Sequence, residues 1–109
     1  MSEKAIQQYA DAKKQCPDML LLFRIGDFYE LFDADALAAH KDIGLTITRR
    51  GEFAMAGFPH HQLETYLHKL LKCGHKVAVC EQVQDSANVP MKREVTRVVV
   101  GELWPELEK

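Results

Sequence analysis

The fold is decided by the stretch Met19-Leu20-Leu21-Leu22-Phe23-Arg24-Ile25-Gly26-Asp27-Phe28-Tyr29-Glu30-Leu31-Phe32. Residues 19–25 form a short apolar run, which is typical of a β-strand that is buried on both faces. Gly26 and Asp27 predict a turn after this strand. Residues 28–32 alternate less regularly and predict either a second strand or the start of a helix. A strand that is buried on both faces must be covered by helices or strands from the rest of the chain.

On both sides of this stretch, the spacing of apolar residues predicts helices and further strands. Helices are predicted over about residues 3–16, 33–41 and 63–71. Ser2 can cap the first helix and Pro17 ends it, while Gly74 stands where a left-handed residue ends the third. The third helix has the clearest amphipathic pattern in the chain. Further strands are predicted over residues 45–48, 53–56, 76–83 and 94–100.

The order of these elements predicts the fold class. One helix followed by two strands occurs three times in succession, and neighbouring strands can pair as hairpins. The expectation is an α/β (α+β) fold, with a mixed β-sheet of about six strands packed with about three α-helices. Residues 1–100 are expected to form the domain, and residues 101–109 a short acidic tail.

Length and composition exclude several classes of protein. The chain has 109 residues, a hydrophobic fraction of 47% and a net charge of -2, as expected for one soluble domain or a fragment of a larger protein. Disorder, collagen and coiled coil are excluded, and the net charge argues against strong nonspecific nucleic-acid binding. No run of about 20 apolar residues indicates a membrane span, and the N-terminus lacks the apolar segment of a signal peptide.

The cysteines indicate a cytoplasmic location. Cys16, Cys73 and Cys80 are odd in number and lack C-x-x-C or zinc-finger spacing. They are interpreted as free thiols in a reducing compartment, either in the core or half-buried.

Three kinds of enzymatic or metal site have some support in the sequence, but each lacks a defining feature. The carboxylates of Asp27, Glu30, Asp33 and Asp35 suggest a Mg²⁺-dependent nuclease, but no Glu-x-Lys pattern follows them. The side chains of His61, Glu64 and His68 can share one helix face, but the H-E-x-x-H arrangement for zinc is absent. There is neither a nucleophile motif nor a phosphate-binding glycine loop. The expectation is a protein without enzymatic activity, metal or other cofactor, with the nuclease kept as a minor alternative.

Composition alone predicts that Phe28 and Phe32 belong to the core, but the motif that contains them points elsewhere. Gly26-Asp27-Phe28-Tyr29-Glu30-Leu31-Phe32 resembles the N-terminal mismatch-recognition domain (domain I) of the MutS DNA mismatch-repair family, and few other families share it. The similarity runs from about residue 6 to residue 99. Further matches include Leu20-Leu21-Leu22-Phe23-Arg24, Arg50-Gly51, Met55-Ala56-Gly57, Val77-Ala78-Val79-Cys80-Glu81-Gln82 and Arg93-Glu94-Val95.

The resemblance implies a Phe-x-Glu reading motif, formed here by Phe28 and Glu30. Phe28 would stack beside a mispaired or unpaired base, and Glu30 would contact that base by a hydrogen bond. Insertion of a ring costs less where the base step is already poorly stacked. A carboxylate that faces DNA should have a raised pKa, because phosphates repel it and burial desolvates it. The implied partners are double-stranded DNA with a mismatch or small bulge, and other mismatch-repair proteins.

The resemblance also implies contacts to the DNA backbone. The candidate basic residues are Arg24, Arg49, Arg50, Lys92 and Arg93. Met55 matches a family position near the minor-groove surface. The alternatives are solvated surface charges for the basic residues and an ordinary packed side chain for Met55.

The chain departs from the family pattern after residue 84. Asp85-Ser86-Ala87-Asn88-Val89-Pro90 replaces a Gly-Pro-containing loop, Val100-Gly101-Glu102-Leu103-Trp104-Pro105 replaces the usual exit, and the family's ATPase region is absent from this sequence. Trp104 and Pro105 are expected to dock on the domain itself or on a partner. The alternative function is therefore a protein-interaction module that keeps the fold but has lost DNA recognition.

Overall fold

The computed structural model describes residues 1–83 and 91–100. These residues form three α-helices and six β-strands in the predicted order: α1 (Glu3–Gln15), β1 (Leu20–Ile25), β2 (Phe28–Phe32), α2 (Ala34–Ile43), β3 (Thr48–Arg50), β4 (Phe53–Pro59), α3 (Leu63–Lys72), β5 (Lys76–Val83) and β6 (Lys92–Val100). A short 3-10 helix, His60–Gln62, precedes α3. The predicted fold class is confirmed, and residues 28–32 are a strand. The predicted tail and the loop of residues 85–90 lie outside the described residues.

The strands form one mixed sheet in the order β3-β4-β2-β1-β5-β6. β1 and β5 run parallel, and every other neighbouring pair is antiparallel. Leu21, Leu22 and Phe23 in β1 are each 0% exposed. The prediction that this strand is buried on both faces is therefore confirmed.

Helices cover the two faces of the sheet unequally, which leaves part of one face open. Because side chains alternate along a strand, Leu20 and Leu22 pack against α2 and α3, whereas Leu21 and Phe23 pack against α1. α1 lies over β1 and β5, where Ala12 and Cys16 belong to the same apolar cluster as Leu21 and Phe23. On the same face, beyond α1, the surface of β2, β3 and β4 is left as an open groove.

The predicted strand over residues 45–48 is wrong, because the chain turns inward there. Gly44 ends α2 in the left-handed conformation (φ 76°), and Leu45 then enters the core beside α2 and α3 with 7% exposure. His40 Nδ1 lies 2.7 Å from the Leu45 carbonyl oxygen and holds this bend. β3 consequently begins at Thr48.

Asp33 and Asp35 join α2 to the rest of the fold. The backbone N–H of Asp33 donates to the Ala54 carbonyl (2.8 Å), and its Oδ1 accepts from the Ala54 N–H (3.2 Å). Asp35 is 8% exposed; its Oδ2 accepts from Lys13 Nζ (2.9 Å) and from the Leu21 N–H (3.1 Å). Both carboxylates are thus engaged within the fold at the start of α2.

The glycine after α3 agrees with the prediction from the sequence, and one of the cysteines does not. Gly74 follows α3 with a left-handed φ of 88°, as expected. Cys16 and Cys80 are buried, but Cys73 is exposed, so the expectation that all three thiols are at least half-buried is wrong for Cys73.

Among the described residues, no helix has the length and apolar character needed to cross a membrane.

Candidate functional site

A groove of about 540 Å³ opens beside the N-terminal part of α1 and brings together several predicted site residues. Phe28, Glu30, Arg50 and Met55 all line it. The strand pairing explains this grouping, because Glu30 lies opposite Gly57 and Thr48 opposite Met55 in the ladders of the sheet. The other lining residues are Met1, Ile6, Ile25, Thr48, Gly51, Glu52 and Phe53. This surface is called the Phe28 groove below.

Phe28 is the exposed aromatic residue of the motif. It is the first residue of β2, pairs with Ile25 and Pro59, and remains 45% exposed. Phe32, four residues further along the same strand face, is only 1% exposed and packs in the core. The expectation from composition that both rings are core is therefore correct for Phe32 and wrong for Phe28.

The turn that carries Phe28 is held from both sides. Gly26 has a left-handed φ of 59°, which favours glycine. Its backbone N–H donates to Gln82 Oε1 at 2.8 Å. On the other side, the His60 N–H donates to the Asp27 carbonyl at 2.7 Å. These contacts fix the direction in which the chain enters β2 and hence the place of Phe28.

Glu30 lies on the same face as Phe28, half-buried, with its carboxyl group against Gly57. Burial raises the pKa of this carboxyl, and the positive charge of Arg50 opposes the rise. The fold alone thus desolvates this carboxyl before any ligand is bound.

Arg24 supports the strand ends on the opposite face of the sheet. Its Nη1 lies 3.3 Å from Glu81 Oε1, and its Nε donates to the Gly26 carbonyl at 2.5 Å. The Tyr29 hydroxyl donates to the other oxygen of Glu81 in a short hydrogen bond. Burial and this contact raise the pKa of Tyr29 to about 12. Arg24 is thus engaged within the fold.

Arg93 is also engaged within the fold. Its Nε donates to the Arg24 carbonyl at 2.8 Å, and its Nη1 donates to Gln8 Oε1 at 2.6 Å. The guanidinium group lies 5.0 Å from the centre of the Phe23 ring. Arg93 therefore joins β6 to α1 and to the end of β1.

The remaining predicted residues occupy different parts of the surface. Arg49 is exposed next to Arg50, but it pairs with Ala54 and so faces away from the Phe28 groove. Lys92 is exposed at the start of β6, on the far edge of the sheet. Met55 is 8% exposed and forms part of both the groove and the α1-side core.

The described residues contain no group of three or more His, Cys, Asp or Glu side chains placed to hold one metal ion. Of the four carboxylates that suggest a nuclease, Asp33 and Asp35, at the start of α2, are engaged by α1, β1 and β4 as described above. Of the three residues that suggest a zinc site, Glu64 accepts a hydrogen bond from Arg97 Nη1 at 2.6 Å.

Sequence reasoning did not identify Gly57 and Gln82 as residues of the site. Both lie inside segments that match the family, Met55-Ala56-Gly57 and Val77-Ala78-Val79-Cys80-Glu81-Gln82. A signal was thus present in the sequence, but the contacts of these residues depend on which strands are neighbours.

The chain is similar to known proteins of one family. Residues 3–101 match the family model for MutS domain I. Across 86% of its length, the chain is 54% identical to the DNA mismatch repair protein MutS of Rhodopirellula baltica, covering 11% of that protein. It is 46% identical to the MutS of Methanothrix thermoacetophila and 50% identical to that of Brevibacillus brevis, covering 86% of this chain and 12% of each relative. The chain thus spans about an eighth of the length of these curated relatives.

Proposed function

Because the chain belongs to the MutS domain I family, we propose that it is a non-enzymatic DNA-binding domain that recognises a mispaired or unpaired base. Phe28 stacks on the base, and Glu30 forms a hydrogen bond with it. The observation that carries the proposal is the exposure of the Phe28 ring, at 45%, on the same strand face as the half-buried Glu30 carboxyl.

Selectivity comes from the cost of deforming the duplex. Inserting an aromatic ring into a base step unstacks it, at a cost of a few kcal/mol. A mismatch or extra base is already poorly stacked, so the same insertion costs less there. Hydrogen bonds from Gly26 to Gln82 and from His60 to Asp27 hold the turn before Phe28 in place. The Phe28 ring can therefore respond to the difference in insertion cost without a conformational change of the protein.

Glu30 adds a second criterion. Because burial raises its pKa, the carboxyl takes up a proton more readily and can then donate a hydrogen bond to an acceptor on the base edge. On a normal duplex the charged carboxyl meets phosphates without gaining such a partner. Glu30 therefore penalises homoduplex binding more than mismatch binding.

Backbone contacts are assigned to the exposed basic residues. Arg50 lines the Phe28 groove at the β3–β4 turn and is the first candidate. Arg49, which faces away from the groove, and Lys92, at the other edge of the sheet, are candidates only for phosphates outside it. Arg24 and Arg93 act indirectly in this proposal, by supporting the turn before Phe28. With a net charge of -2 and few phosphate contacts, we expect micromolar or weaker affinity.

The test is fluorescence anisotropy of this chain with G·T, single-base-bulge and homoduplex oligonucleotides at low and moderate salt. We expect mismatched duplexes to bind about tenfold more tightly than homoduplex, equivalent to about 1.4 kcal/mol. Phe28→Ala should abolish this preference. Leu37→Ala, which truncates a 54% exposed side chain on α2, is the matched control and should keep it.

The alternative is a protein-interaction module that keeps the fold but has lost DNA recognition. The net charge of -2 favours it, since DNA-binding surfaces are usually basic. Equal binding of all three duplexes, insensitive to Phe28→Ala, would overturn the DNA-reading proposal in favour of this alternative.

A further inference from the structure

A glycine in the middle of β4 has no conformational reason to be there. Gly57 lies directly opposite Glu30 in the antiparallel β2–β4 ladder. Its φ lies outside the left-handed region, unlike those of Gly26, Gly44 and Gly51. Glycine in a strand interior loses more conformational entropy on folding than alanine does and offers no side chain for packing. Its presence in β4 therefore calls for a steric explanation.

The explanation lies in the space that a side chain at this position would occupy. An ideal Cβ on Gly57 would lie 2.5 Å from Cδ and 2.6 Å from Oε1 of Glu30, closer than real Cβ contacts come. At the other glycines in the described part of the chain, a Cβ would have no atom within 4 Å; these are Gly26, Gly44, Gly51 and Gly74. The Glu30 carboxyl thus fills the place where any other residue would carry its side chain.

We propose that Gly57 is a positioning residue for Glu30, and that the absence of a side chain at 57 keeps the carboxyl low against the sheet beside Phe28. The inference rests on the proposed function, because the position of the carboxyl matters only when a base is presented to the groove. A methyl group at 57 would force the carboxyl outward. The clash involves the far end of a flexible side chain, which can rotate away, so the fold survives the substitution.

This assignment predicts opposite effects of Gly57→Ala on stability and on recognition. Alanine is compatible with the backbone of β4 and reduces the entropy of the unfolded chain, so the melting temperature should stay the same or rise. The mismatch-to-homoduplex affinity ratio should fall about threefold to tenfold, as for the loss of one hydrogen bond from a protonated carboxyl. A glycine needed only for folding would lower the melting temperature instead.

The experiment compares wild type, Gly57→Ala, Glu30→Ala and the double variant by thermal melting and by anisotropy with G·T and homoduplex DNA. In the Glu30→Ala background, Gly57→Ala should have no further effect on the affinity ratio. Equal reductions in both backgrounds would overturn the inference, because they would show that Gly57 acts independently of Glu30.

A second readout needs no DNA. Titration of the side-chain carboxyl carbons by NMR should show the pKa of Glu30 falling towards its ordinary value in Gly57→Ala, since the carboxyl becomes more solvated. Arg50 and Glu52 are the charged side chains that share the groove, and the titration of Glu52 serves as the internal control. An unchanged Glu30 titration together with an unchanged affinity ratio would overturn the role of Gly57.

The two proposals fail in distinguishable ways. If wild type binds mismatched and normal duplexes equally, the proposed function is overturned regardless of the NMR result. If wild type discriminates and Gly57→Ala discriminates equally well, mismatch recognition stands and only the positioning role of Gly57 is overturned.

Discussion

The side-chain carbonyl of Gln82 accepts a hydrogen bond from the backbone N–H of Gly26 at 2.8 Å and thereby joins the end of β5 to the turn before Phe28. Parallel pairing of β1 with β5 makes this contact possible, because it brings the ends of both strands to the same edge. The residue that presents an aromatic ring to solvent is thus supported by a strand that lies more than 50 residues away along the chain.

Removal of this support should affect both stability and recognition. We expect Gln82→Ala to lower the free energy of unfolding by about 1 kcal/mol, since the hydrogen bond from Gly26 is lost together with a longer one from Arg93 Nη2 (3.5 Å). The affinity for a G·T duplex should fall by roughly threefold to tenfold as the turn loosens. Urea denaturation and anisotropy measure the two effects. Gln15→Ala, an exposed position at the end of α1, is the control, and equal behaviour of both variants would contradict the prediction.

Arg50 and Arg93 should separate binding from stability. Arg50→Gln should weaken binding to all duplexes alike and reduce the slope of log K against log salt by about 0.9, as for one lost phosphate contact. Arg93→Ala should instead lower the free energy of unfolding by about 2 kcal/mol, because it removes three hydrogen bonds and the contact with Phe23. An unchanged salt slope in Arg50→Gln would exclude the phosphate contact.

The pKa of Glu30 predicts how its contribution to stability depends on pH. Its folded-state pKa is raised above 4.5 by burial, so the folded protein binds this proton more tightly than the unfolded chain does. The stabilisation from protonation is therefore fully present below pH 4.5 and is lost as the pH rises through the raised value. Glu30→Gln should consequently gain stability over wild type as the pH increases through this window.

Urea denaturation of both proteins between acidic and neutral pH tests this prediction. Glu52→Gln, at an exposed carboxyl of the same groove, corrects for the general effect of removing a negative charge. A difference between Glu30→Gln and wild type that is constant with pH, after this correction, would show that the fold does not favour the protonated form.

Breaking the ion pair between Lys13 and Asp35 by removing one charge should destabilise the fold. Asp35→Asn replaces a buried carboxylate that accepts from both Lys13 and the Leu21 N–H and leaves the ammonium group poorly matched. We expect a loss of about 2 kcal/mol in the free energy of unfolding, measured by urea denaturation. Asp11→Asn, an exposed carboxylate on α1 that accepts from Gln7, should cost far less; comparable losses would refute the assignment.

Local patterns in the sequence are sufficient to predict the fold class and most of its elements. The apolar run of β1 and the helical spacing of α3 are local patterns that depend only on which side chains are buried, and burial follows from hydrophobicity. The matched motif also indicated Phe28 and Glu30 before any contact was known. Residues 45–48 misled the prediction because an alternating pattern arises both in a strand and in an extended segment that buries one side chain, as Leu45 does.

Contacts between residues of different strands and helices depend on how these elements pack. Alternation along β2 assigns Phe28 and Phe32 to the same face, but their different exposure depends on where α1 lies over that face. Whether an arginine faces solvent or a neighbouring strand, and whether a glycine lies opposite a glutamate, depends on strand order and register. These are set by packing between segments far apart in sequence, and no local pattern contains that information.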